Sequence, residues 1–144
     1  MVSKNVFLVT HPISYNYIRN TIAYIYSTLN KLCCGKTSHL TIDRIEDFDY
    51  PPHSVVFIIG DPFPSFTKRS DCFYAFINFS LLYNVSGRLF LMPSARKWIQ
   101  GKHQLLIKKA NCYDLILDYY PAQTRLMKQD IENRNNNIKV MSFL

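Results

Sequence analysis

Asn5-Val-Phe-Leu-Val-Thr10-His11-Pro12, running on into Ile13-Ser-Tyr-Asn-Tyr-Ile18, is the stretch that decides the fold. Val6 to Val9 form an unbroken apolar run rich in β-branched and aromatic side chains, the composition of a strand buried on both faces. Proline holds the residue before it extended, so the chain stays strand-like through His11 and turns into a helix only afterwards, with Ser14 as the expected N-cap. From Tyr15 to Cys34, apolar residues fall at Ile18, Ile22, Ile25, Tyr26, Leu29, Leu32 and Cys33. That is the three-or-four spacing of one helical face, and Gly35 supplies its stop.

Outward from this unit the alternation continues. A weaker strand is predicted at His39–Asp43 and a confined apolar strand at Ser54–Ile59, between Pro51-Pro52 and Gly60-Asp61-Pro62. Phe63 to Thr67 reads as loop, Asp71–Tyr83 as an aromatic-rich helix and Arg88–Met92 as the next strand, stopped by Pro93 with Ser94 as a cap. Trp98–Ala110 reads as helix, Tyr113–Asp118 as the fifth strand, Pro121–Glu132 as the last helix and Ile138–Phe143 as a sixth strand. Strands alternating with helices predict a single α/β domain over residues 1–144: an open, mainly parallel, doubly wound Rossmann-like sheet of about six strands, with helices on both faces. The link between strands two and three, roughly ten residues without a helix, is short for a parallel crossover and calls for an extended connection.

The totals fit one folded domain of 144 residues, 48% hydrophobic and 19% charged. An aromatic share of 15% is compatible with a dense core or with an apolar surface that a partner covers. The formal charge of +7 favours anionic partners, but the basic residues are spread out, so a dedicated nucleic-acid groove is not expected. Cys33, Cys34, Cys72 and Cys112 lack zinc or redox spacing; no metal site is expected, and Cys33 and Cys112 read as small buried hydrophobes in a reducing compartment. Neither a leader peptide nor a membrane span is apparent, which makes the cytoplasm the expected location.

In open α/β sheets, ligands bind beyond the carboxyl ends of the strands, near the point where strand order reverses. That rule selects Thr10 and His11 after strand one, Asp61 after strand three, Ser94 and Arg96 after strand four, and Tyr119 and Tyr120 after strand five. His11, oriented by Asp61, has the chemistry of a general base acting on a hydroxyl; equally, its ring is placed to cap the backbone. Thr10, Ser94, Arg96, Tyr119 and Tyr120 form the candidate ligand-binding set. Arg96-Lys97-Trp98 reads as an anion site at a helix start or as a solvated first turn. With no G-x-G-x-x-G, no G-x-x-x-x-G-K-[ST] and no G-x-S-x-G, no nucleotide cofactor is expected.

Lys109-Ala-Asn-Cys-Tyr-Asp-Leu-Ile-Leu-Asp-Tyr-Tyr-Pro-Ala-Gln-Thr-Arg-Leu-Met-Lys, followed by Ile138-Lys-Val-Met-Ser-Phe-Leu144, resembles a stretch of GT-B type glycosyltransferases. The upstream order of strands and helices is similar too. The resemblance implies the N-terminal, acceptor-side half of a two-domain sugar-transfer enzyme, inactive alone and completed by a donor-binding domain or subunit. It implies a sugar or glycan acceptor, and a catalytic histidine after strand one, as in inverting members, at His11. Retaining members often carry a histidine after strand four, where this chain has Pro93 and Ser94; the family's glycine-rich first loop is absent. The alternative, from a different class, is a non-catalytic Rossmann-like module that binds a partner protein or a small anionic ligand. Association with a second copy of the chain is a further expectation.

Overall fold

The computed structural model describes residues 5–60, 62–79, 93–135 and 137–142, with the side chains of 93–96 and 98 left aside. Its elements run β1 (Val6–Thr10), α1 (Pro12–Leu32), β2 (Thr37–Thr41), β3 (Val55–Ile59), β4 (Phe73–Asn78), α2 (Pro93–Lys109), β5 (Leu115–Asp118), α3 (Pro121–Ile131) and β6 (Lys139–Ser142). Among the described residues six strands make one parallel sheet in the order β2-β1-β3-β4-β5-β6, with three α-helices: an open Rossmann-like α/β fold. Chain direction across the sheet reverses between β1 and β3, which lie side by side in the register Val6↔Val55 to Thr10↔Ile59.

Two helices open on a proline. Pro12 and Pro121 stand at the first helical position, where the missing N–H is no loss and the fixed φ already suits a helix, and Pro93 is the first described residue of α2. This corrects two expected caps. His11, not Ser14, caps α1, with ψ 145° and Nδ1 accepting from Ile13 N–H at 3.2 Å. Likewise α2 already includes Pro93, several residues before Trp98, so Ser94 lies within the helix rather than capping it from outside. At the far end of α1 the Gly35 and Cys34 N–H groups return to Asn30 and Lys31 carbonyls at 2.7 and 3.3 Å, with Cys34 and Gly35 both at positive φ. That is the paired C-terminal closure expected near Gly35.

The expected helix over Asp71–Tyr83 is a strand where it is described. Phe73-Tyr-Ala-Phe-Ile-Asn78 forms β4, with Tyr74 to Asn78 all buried. Its closely spaced aromatics are a continuous apolar run covered on both faces, a pattern that periodicity alone cannot separate from a buried helix. The strand expected at Arg88–Met92 lies outside the described residues. Strand two starts at Thr37, two residues early, which leaves residues 42–54 for the link to β3, with a single 3-10 turn at Ile45–Asp47.

The chain divides into two compact units, Met1–Phe76 and Ile77–Leu144. In the first, β1 is buried along its whole length and Phe7 meets the rings of Phe48 and Tyr50 at 5.2 and 5.3 Å. Only Ile22 of α1 is fully buried; Ile18, Ile25, Tyr26 and Leu29 are half-buried, whereas Leu32, expected on the same face, is 75% exposed. Ile18 breaks the helix locally with φ −124° and ψ 33°. In the second unit α3 packs on β5 and β6 through Met127 and Ile131, against a core holding Ile116, Ile138 and Val140. Full burial of each such side chain contributes about 1.5–3 kcal/mol.

Side chains from the preceding helices meet the backbone of the two outermost strands. Thr37 N–H donates to Asn30 Oδ1 at 3.3 Å and Thr37 C=O accepts from Tyr26 Oη at 3.2 Å. Val140 N–H donates to Glu132 Oε1 at 2.7 Å. The four cysteines form no disulfide with one another; Cys112 is buried as expected, but Cys33 is half-buried because it ends α1 near solvent.

Candidate functional site

The reversal between β1 and β3 places Thr10, His11, Ile59 and Gly60 at adjoining strand ends. Two features hold this corner. Gly60 has φ +97°, and a Cβ on it would collide with the Ser14 side chain, so the first turn of α1 rests on bare backbone at the end of β3. His11 is pinned by its cap and lies edge-on to Phe63, with ring centroids 5.3 Å apart at 81°.

The carboxylate beside His11 is Asp43. Parallel pairing brings Thr10 opposite Thr41, Ile42 N–H donates to Thr10 C=O at 3.1 Å, and Asp43 Oδ1 then stands 3.8 Å from His11 Nε2. The histidine side chain is 13% exposed and the aspartate 81%, so the pair opens to solvent through Asp43. Asp61, expected to orient His11, lies outside the described residues. Because Nδ1 accepts from Ile13, a neutral ring carries its proton on Nε2, and His11 presents a hydrogen-bond donor at the strand end.

Thr10 is fully buried and joins a polar group behind His11. Its Oγ1 lies 2.9 Å from His39 Nε2 and 3.4 Å from Thr41 Oγ1, and donates to Leu40 C=O at 3.5 Å. His39 is flanked by the rings of Tyr15 and Tyr26 at 5.7 and 6.1 Å. Burial moves its pKa below the ordinary histidine value, because the charged ring is the form that loses hydration.

In the second unit Tyr119 and Tyr120 follow β5. Their rings meet edge to face at 5.2 Å, Phe79 lies 5.6 Å from Tyr119, and Tyr119 remains 40% exposed. Beneath them Asp118 is fully buried and accepts three hydrogen bonds: from Asn78 Nδ2 at 2.9 Å, Gln123 Nε2 at 2.8 Å and Thr124 Oγ1 at 2.9 Å. The carboxylate fastens the first turn of α3 to the ends of β4 and β5. Ser94 and Arg96 lie at the described start of α2.

Sequence reasoning found Thr10 and His11 at one corner and the Tyr119-Tyr120 pair at another. It missed His39, Asp43 and the Asp118 group. Asp43 had a usable signal, since a parallel register that matches Thr10 with Thr41 carries Asp43 up to His11. No protein-family model, curated protein or solved structure matches this chain.

Proposed function

We propose that the chain is a ligand-holding Rossmann-like domain, the acceptor-side half of a sugar-transfer enzyme, which holds a small hydroxylated molecule at the β1–β3 corner for a donor-binding domain or subunit. The observation that carries this reading is the coincidence of the reversal in strand order with His11 and Asp43, an imidazole and a carboxylate 3.8 Å apart at the strand ends. In binding, the His11 Nε2–H donates to a ligand oxygen and Asp43 accepts from a ligand hydroxyl. In transfer, Nε2 takes the proton of the acceptor hydroxyl as its oxygen bonds to the anomeric carbon of a nucleotide sugar; the bond from that carbon to the phosphate breaks, and the nucleotide leaves on the donor-binding domain. That step needs the other tautomer, so the ring gives up its bond to Ile13 N–H, at a cost of about 1 kcal/mol.

The same cap favours a second reading, a binding module without catalysis, because His11 is already engaged by backbone. His11→Asn distinguishes them: asparagine keeps an N-cap acceptor but relays no proton. The test combines calorimetry with nucleotide sugars and hydroxylated acceptors, size-exclusion chromatography with and without a donor-binding partner, and transfer assays on the reconstituted pair. The sugar-transfer reading expects His11→Asn, which loses the Nε2 donor to the ligand, to weaken acceptor binding by about tenfold or less and to lose turnover by about 100-fold or more. A stable monomer that ignores both ligand classes, with His11→Ala losing nothing in any partner assay, would overturn it. Acceptor-type binding unchanged in His11→Asn, with no turnover in the wild-type pair, selects the binding module.

A further inference from the structure

In the first unit, the segment around Ile45 to Tyr50, the loop around Phe66 to Arg69 and Tyr74 of β4 line a half-open cavity of about 270 Å³, just under the range of drug-sized sites. Its walls include two aromatic pairs, Phe48–Tyr50 with centroids 5.0 Å apart and Phe66–Tyr74 with centroids 5.2 Å apart. The charged lining is Glu46, Asp49 and Arg69. Arg69 is committed to its neighbours: Nε and Nη2 donate to the two Asp71 oxygens at 3.0 and 2.7 Å, and Nη1 donates to Tyr50 C=O at 2.7 Å and Asp49 Oδ1 at 3.3 Å. Asp49 and Asp71 are bonded to this guanidinium, Glu46 lies 3.9 Å from Arg44 Nε, and with Asp47 beside them four carboxylates stand against two guanidiniums, a local excess of negative charge on a chain whose formal charge is +7.

Tyr50 adds an unmet bond. It is only 3% exposed, and its Oη has no hydrogen-bond partner among the described residues. Burial, then Tyr74, Cys72, Glu46 and Asp47, raise its pKa, so the phenol stays protonated and has an O–H to donate. A buried polar group left without a partner is costly, and a ligand oxygen that reaches it recovers that loss.

These features select among ligands. An anion would face Glu46 and Asp49 with the only lining guanidinium already engaged. A purely apolar molecule would leave Tyr50 Oη unmatched. Aromatic rings attract cations, most strongly when the cation is desolvated. We propose that this cavity binds a small organic cation, an alkylammonium that also carries a hydrogen-bonding oxygen, with the ammonium among the four rings beside Glu46 and Asp49 and the oxygen toward the Tyr50 hydroxyl.

Choline and its uncharged isostere 3,3-dimethyl-1-butanol, titrated into the full chain and followed by calorimetry and by NMR of the aromatic protons, test the charge requirement. Choline is expected to saturate and to bind about tenfold or more tighter than the neutral alcohol. Glu46→Gln is expected to weaken choline by about threefold or more with an unchanged thermal midpoint. Tyr50→Phe should weaken choline several-fold while tetramethylammonium, which has no hydroxyl, binds as before; that second probe also shows that the cavity is still formed. The proposal is overturned by absence of saturable choline binding up to about 10 mM, by equal affinity for the neutral isostere, or by indifference of choline to both substitutions.

Discussion

Gly60 and Gly101 make opposite demands on a side chain. At Gly60 a positive φ coincides with contact against Ser14, so Gly60→Ala is expected to cost about 1–3 kcal/mol, read as a lower denaturation midpoint at constant slope. Gly101 lies inside α2 with open space where a Cβ would go. Gly101→Ala is therefore expected to stabilise by about 0.5–1 kcal/mol in the same measurement. His39 makes a pH-dependent contribution. Its folded-state pKa is lowered, so as pH falls the unfolded chain takes up this proton first, and stability that is full above 6.5 declines below it toward the folded-state value. Thermal midpoints at about pH 7.5 and about pH 5.5 should drop further in the wild type than in His39→Gln; equal drops would remove His39 as the source.

At the scale of elements, the start of α3 hangs on Asp118. Asp118→Ala takes the acceptor from Asn78, Gln123 and Thr124 in a buried site. A loss of about 3 kcal/mol or more is expected, with Asp118→Asn intermediate, by chemical denaturation. Little of this was legible in the chain, because Asn78 and Asp118 are forty residues apart and local pattern carries no sign of which distant donor will arrive. The same holds for Thr10 and His39. What was legible was local: the apolar runs of β1, β3 and β5, and helices following Pro12 and Pro121. The failure at β4 was also local in origin. Six residues of mixed aromatic and aliphatic character give a helix and a doubly buried strand nearly the same spacing, and only the sheet beside it decides. The start of α1 moved for a local reason as well: Pro12, just beyond the end of β1, opens the helix immediately, which leaves Ser14 inside the first turn.

Across the whole molecule, surface character separates two kinds of residue. On α1, Tyr17, Tyr24 and Leu32 are 84%, 74% and 75% exposed, so Tyr24→Lys and Leu32→Glu are expected to shift stability by no more than about 0.5 kcal/mol. If a partner or a second copy docks on this helix, the same variants abolish the association in size-exclusion chromatography while melting as the wild type does. No described helix is long and apolar enough to cross a membrane. The local excess of negative charge near Glu46 and Asp49 stands apart from the basic balance of the chain, and recognition of a cation there would grow stronger as salt is lowered.

An open sheet invites further strands to add at its ends. Of the described strands, β2 and β6 occupy those positions, and there Asn30, Tyr26 and Glu132 already hold backbone groups of Thr37 and Val140. These three side chains act as stoppers against templated polymerisation: a strand from another molecule would first have to displace them. Asn30→Ala combined with Glu132→Ala should therefore shorten the lag before thioflavin-positive fibrils appear on heating, and do so by more than any loss of stability in the double variant predicts.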